Sequence, residues 1–144
     1  MEMTVAVFPP EDFDEITEVW EESVRASHHF ISEQEITLYR RLIRDVYLPG
    51  LHLFGIRTGG RIEAFAAVKG PMLEMLFVRP ASFGRGLGSL LVDHATRSLG
   101  ITRVDVNEEN EGALGFYLKQ GFRIVSREER DPQGTPHPVL HMER

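Results

Sequence analysis

"FVRPASFGRGLGSLLVDHA", residues 77 to 95, is the stretch that decides the fold. An apolar strand end runs into a proline, then into glycines at 84, 86 and 88, then into an apolar pattern of helical period. A dinucleotide fingerprint needs G-x-G-x-x-G, and Ser89 stands where its third glycine belongs. A Walker loop needs Gly-Lys before Ser or Thr, and no lysine occurs between Lys69 and Lys119. Two readings stay open. In one, the glycines give a tight turn its backbone freedom and nothing more. In the other, successive N–H groups and the positive end of the next helix converge on a pyrophosphate, with Arg85 adding a charge-assisted contact.

Upstream, Val5 to Phe8 is a short apolar run stopped by Pro9-Pro10. Phe13, Ile16, Trp20 and Val24 then recur at helical spacing. Ser32 with Glu35 three residues on forms a capping box for a second helix, carried by Ile36, Tyr39, Leu42, Ile43 and Val46 and stopped at Pro49-Gly50. Gly59-Gly60 and Gly70-Pro71 punctuate three apolar runs between 51 and 78, which predicts an antiparallel meander. The glycine joint opens a helix over about 86–99, with Leu90, Leu91, Ala95 and Leu99 on one side and Gly100 as its stop. "ITRVDVN" reads as a strand, "NEGALGFYLKQG" as a short helix, and two last strands, near 122–129 and 138–142, flank the polar loop "RDPQGTPHP". The order predicts an α/β chain of the mixed α+β kind, a sheet covered by helices on its faces, in one domain spanning 1–144.

The 144 residues, 42% of them apolar, suffice for a single core. The chain has no apolar run of spanning length and no basic, apolar leader, so the expectation is a cytoplasmic protein with no membrane partner. It has no cysteine, which excludes disulfides, thiolate metal sites and a covalent thiol nucleophile. The histidines lack ligand spacing, and no metal is expected. A net charge of −6 argues against nucleic-acid binding. The charge is uneven: residues 1–50 hold eleven acids against four bases, the rest eleven against twelve. Either the acids are solvated helix faces, or they form a wall toward a cationic acceptor while the neutral half handles an anionic cofactor.

Val78, Pro80 and "GRGLGS" with Leu90-Leu91 resemble the acyl-CoA pyrophosphate loop of the GNAT superfamily of N-acetyltransferases. Asn110, Ala113, Phe116-Tyr117 and Gly121-Phe122 resemble its second signature, N-x-x-A-x-x-F-Y-x-x-x-G-F. "WEESVRASHHFIS" and "DPQGTPHPVL" extend the likeness to small bacterial members of the family. The resemblance implies a mostly antiparallel, twisted sheet splayed between strands 4 and 5 and flanked by about four helices. It also implies acetyl-CoA as co-substrate. The cofactor-binding set it implies is Leu76, Phe77, Val78, Phe83, Gly84, Arg85, Gly86, Leu87, Gly88, Ser89, Asn110, Ala113, Phe116 and Tyr117. Phe83 departs from the Arg or Gln usual at the loop's first position, and the expectation is that it contributes a backbone N–H there.

The implied reaction is acetyl transfer to a primary amine, on a small molecule or a protein lysine, by direct attack in a ternary complex. An acyl-CoA-binding sensor without efficient catalysis is the alternative, admitted by Phe83. Tyr117 is the candidate acid for the departing thiolate, since a phenol of pKa near 10 matches such a leaving group. The resemblance offers the N–H of Phe77 or Val78 to the oxyanion. Three candidates remain for the base: Glu74, a charge inside an apolar strand, and His28 and His29, which titrate near neutrality. The polar loop near His137 borders the expected acceptor site. The chain is expected to be a monomer or a homodimer.

Overall fold

The computed structural model describes residues 4–27 and 31–144. Seven strands form one sheet: β1 (Val5–Val7), β2 (His52–Thr58), β3 (Arg61–Lys69), β4 (Met72–Val78), β5 (Arg103–Asn107), β6 (Arg123–Glu128) and β7 (Val139–Glu143). Their order across the sheet is β1-β2-β3-β4-β5-β7-β6, antiparallel throughout except for the parallel β4/β5 pair. Helices α1 (Phe13–Ser27) and α2 (Glu33–Leu42) cover one face, and α3 (Leu87–Leu99) and α4 (Glu111–Lys119) the other. Each face therefore has its own apolar cluster, one around Trp20, Ile16 and Phe65, the other around Phe54, Leu91 and Val104. The predicted element order is the one observed.

Local chemistry sets the helix starts. The Ser32 hydroxyl accepts from the Glu35 N–H at 3.1 Å while Glu35 accepts from the Ser32 N–H at 3.2 Å, the reciprocal capping box read from the sequence. Asn110 caps α4 by accepting from the Ala113 N–H at 3.1 Å. Beyond Leu42 the second helix widens into a π-helical turn over Ile43–Tyr47. That turn breaks the 3.6-residue period, and Val46, expected on the buried stripe, is 59% exposed. In α3 the buried positions are Leu87, Leu91, Val92 and Ala95, so the stripe lies one step from the predicted one and Leu99 is exposed.

One irregularity positions the site. Ala67 of β3 faces Met75, but its neighbour Val68 faces Leu73, so Glu74 is an extra residue bulged out of β4. On the other side, β4 pairs with β5 only at Met72↔Arg103 and Leu73↔Val104. The two strands fork at the bulge, which opens the sheet between its fourth and fifth strands.

The acids of α1 are neither plain solvated charge nor a wall toward an acceptor. The Arg79 side chain, 1% exposed, donates to the Ile62 carbonyl at 2.6 Å and to Glu18 and Glu22 at 2.9 and 2.7 Å. Glu15 lies 3.4 Å from the same guanidinium. Arg57 pairs with Asp12 at 2.7 Å. Among the described residues, eight acids of the first fifty pair with arginines, Arg57 and Arg79 among them from the rest of the chain.

Candidate active site

The fork opens into two cavities that share a wall. The first, about 630 Å³, is bordered by β4 from Leu73 to Val78, by β5 from Val104 to Asn107, by the glycine turn and by α4. The second, about 550 Å³, lies toward α1, α2 and the loop before β7. Glu74, Met75, Phe77, Asp105 and Asn107 line both.

In the first cavity the glycine turn leaves open space beside an uncapped helix start. Gly84 and Gly86 have φ of 78° and 80°, which side-chain-bearing residues rarely adopt, and the space where their Cβ atoms would stand is open. Gly86 is the N-cap of α3 and no side chain caps the helix, so its first N–H groups are left for another acceptor. Gly88 serves a different end: a Cβ there would come within 3.3 Å of the Phe116 ring, so the glycine lets α3 and α4 approach. Gln120, the C-cap of α4, donates to the Ser89 hydroxyl at 3.0 Å and ties the same two helices.

Of the residues expected to bind the cofactor, all but Arg85 line this cavity; Arg85 is exposed and outside it. Phe83 is at the wall, 47% exposed, but its N–H donates to the Pro80 carbonyl at 3.2 Å. It therefore brings a ring to the rim and not the backbone donor expected of it.

Tyr117 is 7% exposed and lines the first cavity between the edge-on rings of Phe116 and Phe122, at 5.1 and 5.7 Å. Burial pushes its phenol well above the ordinary value. Among the described residues none takes up its hydroxyl. A buried phenol with an unengaged O–H, beside an uncapped helix end and an open glycine turn, fits a thioester ligand with a pyrophosphate.

Glu74 stands in the wall common to both cavities. Burial raises its carboxyl above the usual range, the Asp105 carboxylate adds to the rise, and Lys69 opposes it. The other two base candidates, His28 and His29, lie outside the described residues.

The second cavity is walled by Trp20, Val24, Tyr39, Ile43 and Tyr47, with Asp131 and His137 from the loop. His137 bridges Glu109 at 2.7 Å and Glu35 at 3.0 Å, and Gln133 donates to the Tyr47 hydroxyl at 2.7 Å, so the loop is strapped to α2 and the segment after it. Sequence reasoning gave no role to Arg79, Asp105 or His141. Arg79 holds α1 to the chain entering the glycine turn, and its only sequence trace is the acidic row Glu15, Glu18 and Glu22 on α1.

The sequence profile of the acetyltransferase (GNAT) domain matches residues 49–124. The chain is 35% identical over 133 residues to the peptidyl-lysine N-acetyltransferase YjaB of Escherichia coli (strain K12), covering 92% of this chain and 90% of that protein. It is 30% identical to the peptidyl-lysine N-acetyltransferase YiaC of the same organism, covering 87% and 86%. The solution structure of apo YjaB from Escherichia coli superposes with a TM-score of 0.90 at 32% identity, over 99% of this chain and 97% of that one. The PaiA N-acetyltransferase of Thermoplasma acidophilum, solved with coenzyme A, shares the fold at 19% identity and a TM-score of 0.75 over the full length of both chains.

Proposed function

The chain belongs to the GNAT acetyltransferase family, and from that premise we propose that its acceptor is the ε-amine of a lysine side chain in a protein or peptide. Its reaction is transfer of an acetyl group from acetyl-CoA to an amine. The observation that carries the lysine reading is the shared wall. The second cavity, with Trp20, Val24, Tyr39 and Ile43 in its wall, shares with the first the stretch of the fork that holds Glu74 and Asp105. Such a slot suits a four-carbon chain tipped by an ammonium: the stem packs on rings and the charge reaches the carboxylates. The relatives that acetylate peptidyl lysine support the same reading.

The glycine turn from Gly84 to Gly88 and the first N–H groups of α3 hold the pyrophosphate, and Asn107, Asn110 and Phe116 border the rest of the cofactor. Bound acetyl-CoA supplies the acetyl group as a thioester. Glu74 takes the proton of the acceptor ammonium, through water, and leaves a neutral amine to attack. With no cysteine in the chain, the attack is direct. Tyr117, kept protonated by burial, gives its proton to the departing sulfur, and the second proton that the attacking nitrogen loses as the amide forms restores the phenol.

The test offers acetyl-CoA and peptides that carry one lysine with a blocked N-terminus, with the same peptides carrying arginine in its place, and with spermidine. Thiol release and mass spectrometry report the product. Acetylation confined to the lysine peptides supports the reading. Turnover of spermidine with none of the peptides would replace it by a small-molecule acceptor.

A further inference from the structure

Glu74 and Asp105 are related by the fork itself. The last paired positions of the parallel strands are Leu73 and Val104, and Glu74 and Asp105 are the next residue on each strand. Both line both cavities. Behind Asp105, on β7, the His141 ring places Nδ1 2.7 Å from Asp105 Oδ1 and Nε2 3.2 Å from Glu128 Oε1 of β6. A file of ionisable groups thus runs from the fork to the sheet edge: Glu74, Asp105, His141, Glu128.

We propose that Asp105, held in place by the His141 ring, is a positioning residue that sets a second negative charge against Glu74 and so makes Glu74 the stronger base at the acceptor amine. The inference rests on the assignment of Glu74 as base under the proposed function. Two carboxyl groups side by side share their protons, and which one keeps the first is decided by the other partners of each. Asp105 has a ring that donates to it, and the hydrogen bond to Asp105 raises His141 above its ordinary value, burial opposing and Glu128 assisting. Glu74 stands under the opposite influence: burial and the Asp105 charge raise its carboxyl, and Lys69 of β3 opposes them. Across the second cavity Tyr39, Tyr47, Asp131 and His137 border the same space, and the carboxylate of Asp131 adds negative charge to it. An ordinary surface carboxylate is too weak a base to draw a proton from an ammonium efficiently, and this arrangement narrows the gap.

The experiment is the pH profile of kcat/KM for a lysine peptide at saturating acetyl-CoA, for the wild type and for Glu74→Gln, Asp105→Asn and His141→Gln. The acidic limb is expected to disappear in Glu74→Gln. In Asp105→Asn it should move to lower pH by about one unit, because the like charge is gone. In His141→Gln it should move the same way by a smaller amount, because Asp105 is no longer held against Glu74. The two shifts share a sign and read one coupling, so either variant decides should the other fail to fold. A limb abolished by Glu74→Gln but unmoved by both others overturns the role of Asp105 and leaves Glu74 as base. A limb that survives Glu74→Gln overturns the base assignment and this inference with it.

Discussion

Arg79 donates to Glu22 at 2.7 Å from a side chain that is 1% exposed, and so binds α1 to the residue that precedes the glycine turn. The arrangement is costly to break from the arginine side. Removing the guanidinium leaves the Ile62 carbonyl buried without its 2.6 Å donor, while Glu15, Glu18 and Glu22, partly exposed, recover water. Arg79→Met should lose about 2 to 3 kcal/mol, below the usual cost of splitting a fully buried pair. In a thermal melt that is a fall of roughly 5 to 10 °C. Arg79→Lys should recover little of it, since one ammonium cannot reach the carbonyl and two carboxylates as the fork does. A melt unchanged by Arg79→Met would show that the pairs contribute nothing net.

Gly86 and Gly100 separate backbone strain from ligand contact. Both have left-handed φ, 80° and 67°, and at neither would a Cβ meet anything within 4 Å. A side chain at either costs about 1 to 2 kcal/mol of strain. Only Gly86 borders the first cavity. Gly86→Val should therefore abolish acetyl-CoA binding by calorimetry, whereas Gly100→Ala should lower stability by a similar amount and leave affinity intact. Retained affinity in folded Gly86→Val would remove the glycine turn from the cofactor site.

The parts of this structure that are legible in the sequence are those whose cause is local. The capping box at Ser32 and Glu35 and the cap at Asn110 are short-range bonds between residues three apart, and the turn chemistry at Gly84 to Gly88 follows from glycine itself. What escapes is set by partners distant in the chain. The bulge at Glu74 depends on the register between β3 and β4, Arg79 has its carboxylate partners 57 to 64 residues away, and the Asp105 to His141 contact spans 36. Val46 is missed for another reason: its apolar spacing is helical, but the π-turn that rotates it outward leaves no mark in a binary pattern.

His137 gives the strapped loop a dependence on pH. Burial works against a charged ring, but Glu109 and Glu35 outweigh it and hold His137 above its ordinary value near 6.5. A group raised in the folded state stabilises fully below its unfolded value and stops doing so as pH rises through the folded one. Glu35 is held below the usual carboxylate range by the Ser32 N–H first and by His137 as well, so its share is lost as pH falls through that lowered value. The bridge is therefore strongest in mild acid, above the carboxylate range and below the titration of His137. Urea unfolding of the wild type and His137→Gln should differ most near pH 5.5 and converge by pH 9. An equal difference at both would mean that the bridge carries no charge.

Tyr117 offers the cleanest separation of chemistry from folding. Its ring is packed between Phe116 and Phe122, which phenylalanine preserves, and none of the described residues engages its hydroxyl. Tyr117→Phe should consequently melt within about a degree of the wild type and bind acetyl-CoA unchanged. Turnover should fall at least tenfold, about 1.4 kcal/mol in barrier, because the departing thiolate loses its proton donor. Since burial holds the phenol above its ordinary value, the wild type should keep this acid protonated, and show no alkaline loss of kcat from it, up to about pH 10. Thiol release measured from pH 7 to pH 10 tests both statements. An unchanged kcat in Tyr117→Phe removes the tyrosine from the reaction. A variant that loses turnover and also melts early would instead make the hydroxyl a structural group whose partner is water in the cavity.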